Sequence, residues 1–334
     1  MVAATPARVN RLLGGRPAEI DGQVLHPDAQ VLLRAKRVFG LDRNLSSIEA
    51  ERARTAREAR MVRGPTIAVG AVQQTTVQGG GGELEARLYV PEGAPRSGPL
   101  AVYFHGGGWC VGDLDSHDPL CRYLCKQADV RILSVAYRLA PEHPFPAGLD
   151  DAIAAFEFAS GKGARELGAD PTAVAIAGDS AGANLAAVAC RLLRDTGRRL
   201  PRFQALIYPP TDLSSKRPSY ALFREGFYLS EARMDRWDRL YTDGRVGLDD
   251  PRVSPLLADD LSALPPAYVL IAGFDPLRDE VREYARRLAD TGVEVGVGEA
   301  LDLFHAFVNI VGISPRCREA VDPLAEALGA ALRG

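Results

Sequence analysis

Short apolar runs alternating with longer amphipathic stretches predict an α/β protein: a mostly parallel central sheet of about eight strands, flanked by helices and carrying a helical cap. Three observations predict it. From Leu100 onward the runs Leu100–Phe104, Arg131–Ala136, Ala173–Ala177, Phe203–Tyr208, Ala267–Ile271 and Val293–Val297 are continuous rather than alternating, as strands covered on both faces are. Ahead of them, Glu-Leu-Glu-Ala-Arg-Leu-Tyr-Val at 83–90 alternates with period two behind the turn-forming Gly79–Gly82, which predicts a hairpin. A composition of 46% hydrophobic and 25% charged residues over 334 positions suits one chain with a sizeable core.

The remaining length divides into two helical additions. Residues 1–62 are polar and helical in pattern, with Val31, Ala35 and Val38 at helical spacing and Ser46–Glu49 reading as an S-x-x-E capping box; they are expected to form an N-terminal cap segment. Residues 63–334 are expected to form the α/β domain. Within it, a Pro-, Ser- and Asp-rich excursion at about 210–264 encloses an amphipathic helix with Met234, Trp237 and Tyr241 on one side, which predicts a second cap insertion.

Charge narrows the function classes. Forty basic residues against 43 acidic ones give a net charge of −3, so there is no basic field for nucleic acid or an anionic membrane. The arginines of 52–63 are interleaved with Glu51 and Glu58, as on a solvated helix face. Cys110, Cys121, Cys125, Cys190 and Cys317 match no zinc or redox spacing and are expected to be reduced core thiols; no metal and no cofactor is expected. Residues 1–20 carry Arg8, Arg11 and Arg16 without the apolar run of a signal peptide, so a cytoplasmic location is the expectation.

The chemistry lies in four places. Gly178-Asp-Ser-Ala-Gly182 follows the run Ala173–Ala177 directly, and Leu185, Val188, Ala189 and Leu192 then mark a helix. Strand, tight turn and helix in that order hold Ser180 in a strained backbone conformation, with glycines where a Cβ would strike neighbouring chain. His105-Gly-Gly-Gly-Trp109 follows Leu100–Phe104, where bare backbone can aim N–H groups at a developing oxyanion. Neither glycine stretch matches a phosphate-binding pattern. An acid and then a histidine should follow late strands: Asp275 lies beyond Ile271, and His305 is the one histidine beyond that acid. Asp279 is the rival acid, but its place in the first turn of the next helix suits helix stabilisation. His26, His117 and His143 read as surface or structural. A serine hydroxyl is a weak nucleophile, so His305 would take its proton, Asp275 would hold the imidazole tautomer, and amides of the glycine loop and Ala181 would bind the oxyanion.

Three stretches, His105–Trp109, Tyr137-Arg-Leu-Ala-Pro-Glu-His-Pro-Phe-Pro-Ala147 and Gly178–Gly182, together with Asp275-Pro-Leu-Arg-Asp279 and His305, resemble the bacterial hormone-sensitive-lipase-like (family IV) esterases of the α/β-hydrolase superfamily. The resemblance runs from about Asp28 to the end of the chain. It implies a capped α/β-hydrolase fold, activity on small-molecule esters of short-to-medium acyl chains, Ser180, Asp275 and His305 as triad, and Gly107, Gly108 and Ala181 as oxyanion-hole amides. His105 would brace the loop, with Gly106 and Asp179 supporting the motifs. A homodimer through the last strand and helix is the assembly it implies. Two departures stand out: Ala136 where an acidic residue commonly precedes the Tyr-Arg-Leu stretch, and Ala306 where glycine often follows the histidine. Trp109, Phe223, Phe227, Tyr228 and Trp237 are candidates for the substrate pocket, though an aromatic stripe equally suits the interior of a cap. A non-catalytic small-molecule receptor and a longer-chain lipase are the alternative functions; intact triad residues weigh against the first.

Overall fold

The computed structural model describes residues 13, 15–41 and 47–333. A small ribbon, β1 (Glu19–Ile20) and β2 (Gln23–Val24), leads into helices α1 (Pro27–Val38) and α2 (Ile48–Val62). Helix α1 starts on Pro27, which has no N–H to leave unpaired, and the His26 ring accepts a hydrogen bond from the Asp28 N–H. The serine capping α2 is Ser47, whose Oγ accepts from Ala50 N–H at 3.1 Å; the expected cap, Ser46, lies outside the described residues. One expectation for α1 is corrected: Val38 is 71% exposed, and the helix turns Ala29, Leu32 and Lys36 inward instead.

The main sheet has eight strands: β3 (Ala71–Gly79), β4 (Gly82–Val90), β5 (Gly98–Phe104), β6 (Arg131–Val135), β7 (Ala169–Asp179), β8 (Gln204–Ile207), β9 (Ala267–Phe274) and β10 (Val295–Phe304). Their order is β3-β4-β6-β5-β7-β8-β9-β10; β4 pairs antiparallel with β3 and β6, and every other pair is parallel. The chain leaves β5 for β6 on one side and returns to β7 on the other. Such a reversal of order opens a crevice at the carboxyl ends of the strands, where ligands bind in sheets of this kind.

Helices α3 (Asp118–Ala128), α4 (Ala147–Ala159), α5 (Ala181–Asp195), α6 (Pro218–Phe223), α7 (Glu231–Thr242), α8 (Arg278–Asp290) and α9 (Pro315–Arg333) complete the chain. Alternation along β5 feeds two cores. Leu100, Val102 and Phe104 face a layer that includes α4, α5 and α8, while Ala101 and Tyr103 face α3 and α9. All five cysteines are buried free thiols, as expected from their spacing. Met234 and Tyr241 of α7 are buried and Trp237 partly so, on the predicted common face.

Strand ends differ from the sequence expectation where they matter most. Strand β9 continues to Phe274 and β10 to Phe304, so each carboxyl end reaches the residue before Asp275 or His305. The apolar signal of β10 faded early because it is an edge strand whose one strand partner among the described residues is β9, with Val297 49% and Leu301 41% exposed and polar Glu299 and Asp302 among its residues.

Asp151 of α4, fully buried, joins two distant turns. Its carboxylate accepts from the Gly80 N–H of the β3–β4 hairpin at 2.9 Å and from the main chain and guanidinium of Arg138 at 2.8–2.9 Å. Removing it strands a guanidinium and two amides. We expect Asp151→Ala to lower unfolding free energy by about 3 kcal/mol in urea titrations, and a loss under about 0.5 kcal/mol would contradict this role.

Candidate active site

Ser180 occupies the junction of β7 and α5 with φ 50° and ψ −123°, a conformation that L-residues rarely adopt. Its neighbours explain how it is held. A Cβ on Gly182 would lie 1.9 Å from the Phe104 carbonyl oxygen at the end of β5, and one on Gly178 would lie 2.4 Å from the Gly182 carbonyl carbon. The turn therefore packs directly on the end of the adjacent strand, and the Ser180 N–H is tied to the Ile207 carbonyl of β8 at 2.8 Å.

From the next two carboxyl ends come the acid and the histidine. His305 Nδ1 lies 2.7 Å from Asp275 Oδ2, and His305 Nε2 lies 2.9 Å from Ser180 Oγ. Asp275 has no exposed surface and spends its other oxygen on the Leu277 N–H at 2.9 Å, which fixes the carboxylate plane. A carboxylate facing Nδ1 favours the tautomer protonated there, leaving the Nε2 lone pair for the serine proton. The Tyr208 ring packs against His305, centroids 4.5 Å apart, and limits its tilt. Asp279, the rival acid, instead receives the Ser219 N–H at 2.9 Å and the Arg278 Nε, joining α6 to α8. Ala306 takes a left-handed φ of 67°, the conformation glycine adopts freely; its methyl costs roughly 1 kcal/mol there.

The glycine loop lies beside the serine. Gly107 and Gly108 have φ of 125° and 56°, and a Cβ on Gly108 would fall 2.0 Å from the Trp237 ring. Among the described residues, none accepts a hydrogen bond from the main-chain N–H of Gly107, Gly108 or Ala181. Asp179 ties this loop to the serine turn: its carboxylate accepts from the Gly106 N–H at 2.8 Å and from the Tyr103 hydroxyl. His105 stacks on Tyr137 at 4.6 Å, and Tyr137 donates its hydroxyl proton to the His105 carbonyl at 2.8 Å. Burial, and then the charge of His117, push His105 down to about 4, so it braces the loop as a neutral ring.

His117 is the residue that sequence reasoning undervalued. It is buried, with Nε2 3.3 Å from Asp179 Oδ1. Burial opposes both charges, yet the mutual attraction of the pair wins: His117 is raised, while Asp179, helped by Tyr103 and the Gly106 N–H, is lowered. Sixty-odd residues of chain separate the two, so no local spacing could have signalled the contact.

Two compartments open at Ser180, with Trp237 walling both. The larger, about 150 Å³, lies between the strand ends and helices α1 and α2 and includes His305 and Tyr228 in its lining. The smaller, about 30 Å³, is lined by Gly108, Trp109, Ala181, Tyr220 and Asp238. Two pocket candidates are corrected: Phe223 and Phe227 line neither and pack on Phe274, at 5.4 and 5.2 Å between ring centroids, because their stripe faces the interior. Among the described residues no group of three or more His, Cys, Asp or Glu could hold a metal ion.

The Asp179–His117 pair makes stability depend on pH in a definite direction. Asp179, lowered in the fold, adds stability that is complete above its unfolded value of 3.8 and lost as pH falls through the folded one. His117, raised in the fold, adds stability that is complete below 6.5 and lost as pH rises through its folded value. Urea unfolding of wild type and Asp179→Asn should therefore show the widest stability gap near about pH 5 and a narrower one near about pH 9. An equal gap at both would remove the ion pair from the explanation.

The family model for the alpha/beta hydrolase fold matches residues 101–309. The chain is 43% identical over 335 residues to the carboxylic ester hydrolase LipN of Mycobacterium tuberculosis, covering 98% of this chain and 88% of that one. It is 38% identical over 251 residues to an ethyl acetate hydrolase of Pseudomonas putida, covering 74% and 79%. Among solved structures, an ester hydrolase from the Lake Arreo metagenome, complexed with a bipyridine phosphonate derivative, superposes with a TM-score of 0.88 at 37% identity, covering 93% of this chain and 100% of that one. The chain belongs to the α/β-hydrolase superfamily and, within it, to the hormone-sensitive-lipase-like family IV esterases.

Proposed function

We propose that this chain hydrolyses short-to-medium acyl esters of small molecules through an acyl-enzyme on Ser180. One observation carries the proposal: Asp275, His305 and Ser180 are hydrogen-bonded in series. In the first half-reaction His305 Nε2 takes the Ser180 proton as Oγ attacks the ester carbonyl. The oxyanion is received by the N–H groups of Gly107, Gly108 and Ala181, which have no acceptor among the described residues. His305 then passes its proton to the departing alcohol, and water repeats the sequence on the acyl group. Asp275 steadies the imidazolium.

Placement of the substrate halves comes from the same requirement. The leaving oxygen must reach His305, which lines the larger compartment only, so the alcohol lies there and the acyl group enters the smaller one. A space of about 30 Å³ favours short acyl chains, in line with a relative named for ethyl acetate. Residues 1–62 and about 210–264 act as the cap: α1 and α2 roof the larger compartment, and α7 supplies Trp237 between the two. The proposed location is the cytoplasm and the proposed assembly a homodimer through edge strand β10, where Val297 and Leu301 are exposed.

Ser180→Ala should lower kcat by about 10⁴-fold or more while the thermal unfolding transition is retained, and Asp275→Asn should lower it by about 10⁴-fold through loss of the productive tautomer. Full turnover by folded Ser180→Ala would remove the nucleophile. With 4-nitrophenyl esters, acyl chains of two to six carbons should be cleaved faster than twelve; the reverse order would make the protein a lipase.

A further inference from the structure

Charged side chains of both signs line the larger compartment. Lys36, Arg54 and Arg233 line it, with the carboxylates of Glu51, Glu58 and Asp179. All three carboxylates are engaged elsewhere, Asp179 by His117, Tyr103 and the Gly106 N–H. Glu58 receives Lys36 Nζ and lies 3.8 Å from Arg54 Nε. Glu51 receives Arg236 at 2.7 Å and the Trp237 indole N–H at 3.1 Å.

Arg233 is left over. Its residue is 8% exposed, its Nε is buried without a hydrogen-bond partner, and among the described residues no carboxylate lies within ion-pair distance of its guanidinium. Its main packing is on the Trp237 ring, 5.6 Å from guanidinium carbon to centroid, on the wall shared by the two compartments. The neighbouring cations register it: Arg54 is lowered first by burial and then by Arg233, and Lys36 is lowered first by burial, with Arg233 and Arg54 adding to the effect against the opposing pull of Glu58. A buried guanidinium without an anion is expensive, and folding alone gives no reason to keep one facing a substrate cavity.

We propose that Arg233 is a specificity-determining residue that receives a carboxylate carried on the alcohol half of the ester. A single negative charge would give the Arg233 guanidinium the partner it lacks among the described residues, and the planar fork of a guanidinium suits two-point contact with a carboxylate. The alcohol half is assigned because the compartment Arg233 lines is the one that also holds His305. The inference rests on the ester-hydrolase function proposed above and names its substrate class: neutral short acyl groups on hydroxy acids.

The test uses three pairs of substrates and two variants. The acetate ester of 4-hydroxybutanoate is compared with that of 4-hydroxybutanamide, which replaces the carboxylate by a neutral group of equal size. Monoethyl succinate against its amide places the same charge in the acyl half. Wild type should prefer the carboxylate of the first pair by about tenfold or more in kcat/KM, through KM. Arg233→Gln should erase that ratio, and Arg233→Lys should restore part of it. A third pair, ethyl acetate and ethyl butyrate, carries no charge and reports ester hydrolysis itself. Reading a ratio cancels general damage to the site, and the wild-type ratio alone decides if Arg233→Gln does not fold. Equal rates on the first pair, a preference seen in the succinate pair alone, or a ratio unmoved by Arg233→Gln would each overturn the proposal. If the neutral esters are cleaved all the same, the hydrolase function stands; if wild type cleaves no ester, both fall.

Discussion

Two neighbouring parallel strands, β5 and β7, end so close to each other that only bare backbone fits between the turns at their carboxyl ends. The carbonyl oxygen of Phe104, last in β5, sits where a side chain on Gly182 would begin. Everything at the site inherits its position from that contact: it sets the serine turn on the glycine loop, and so sets the hydroxyl against unpaired amides. A methyl group at Gly182 would have to displace one strand end or the other, because backbone, unlike a side chain, cannot rotate away.

A buried carboxylate then fastens the two turns. Asp179 stands one residue before the serine and grips Gly106 on the loop, with Tyr103 and His117 neutralising and solvating it in place of water. The residue between glycine and serine in the pentapeptide thus has a mechanical task distinct from catalysis. On the far side, Asp275 has the same dependence on local donors, with one oxygen held by the Leu277 N–H and the other by His305. Both carboxylates are buried, and both are tolerated because donors meet them, Asp275 at each oxygen and Asp179 at Oδ1.

Much of this was legible in the sequence because it is local. Continuous apolar runs marked inner strands, and glycines at fixed offsets from Ser180 and His105 marked places where chain meets chain. The edge strand β10 was half missed, since exposure on one side replaces an apolar run by alternation, and an apolar Val38 misled because helix α1 leaves it in solvent. Phe223 and Phe227 show the same ambiguity from the other direction: aromatic residues near a site serve a core as readily as a pocket. His117 was out of reach altogether. Its partner lies far along the chain, and nothing in the spacing of a lone histidine announces a buried carboxylate.

The measurement that bears most directly on the central claim is mapping of the covalent adduct left by a fluorophosphonate, whose phosphorus a serine activated by a neutral imidazole attacks. One adduct per chain, located by peptide mass spectrometry on Ser180 and absent when the protein is unfolded beforehand, is the predicted outcome. An unlabelled Ser180 in protein that is cleaving an ester at the time, or a stoichiometric adduct on another side chain, would contradict it.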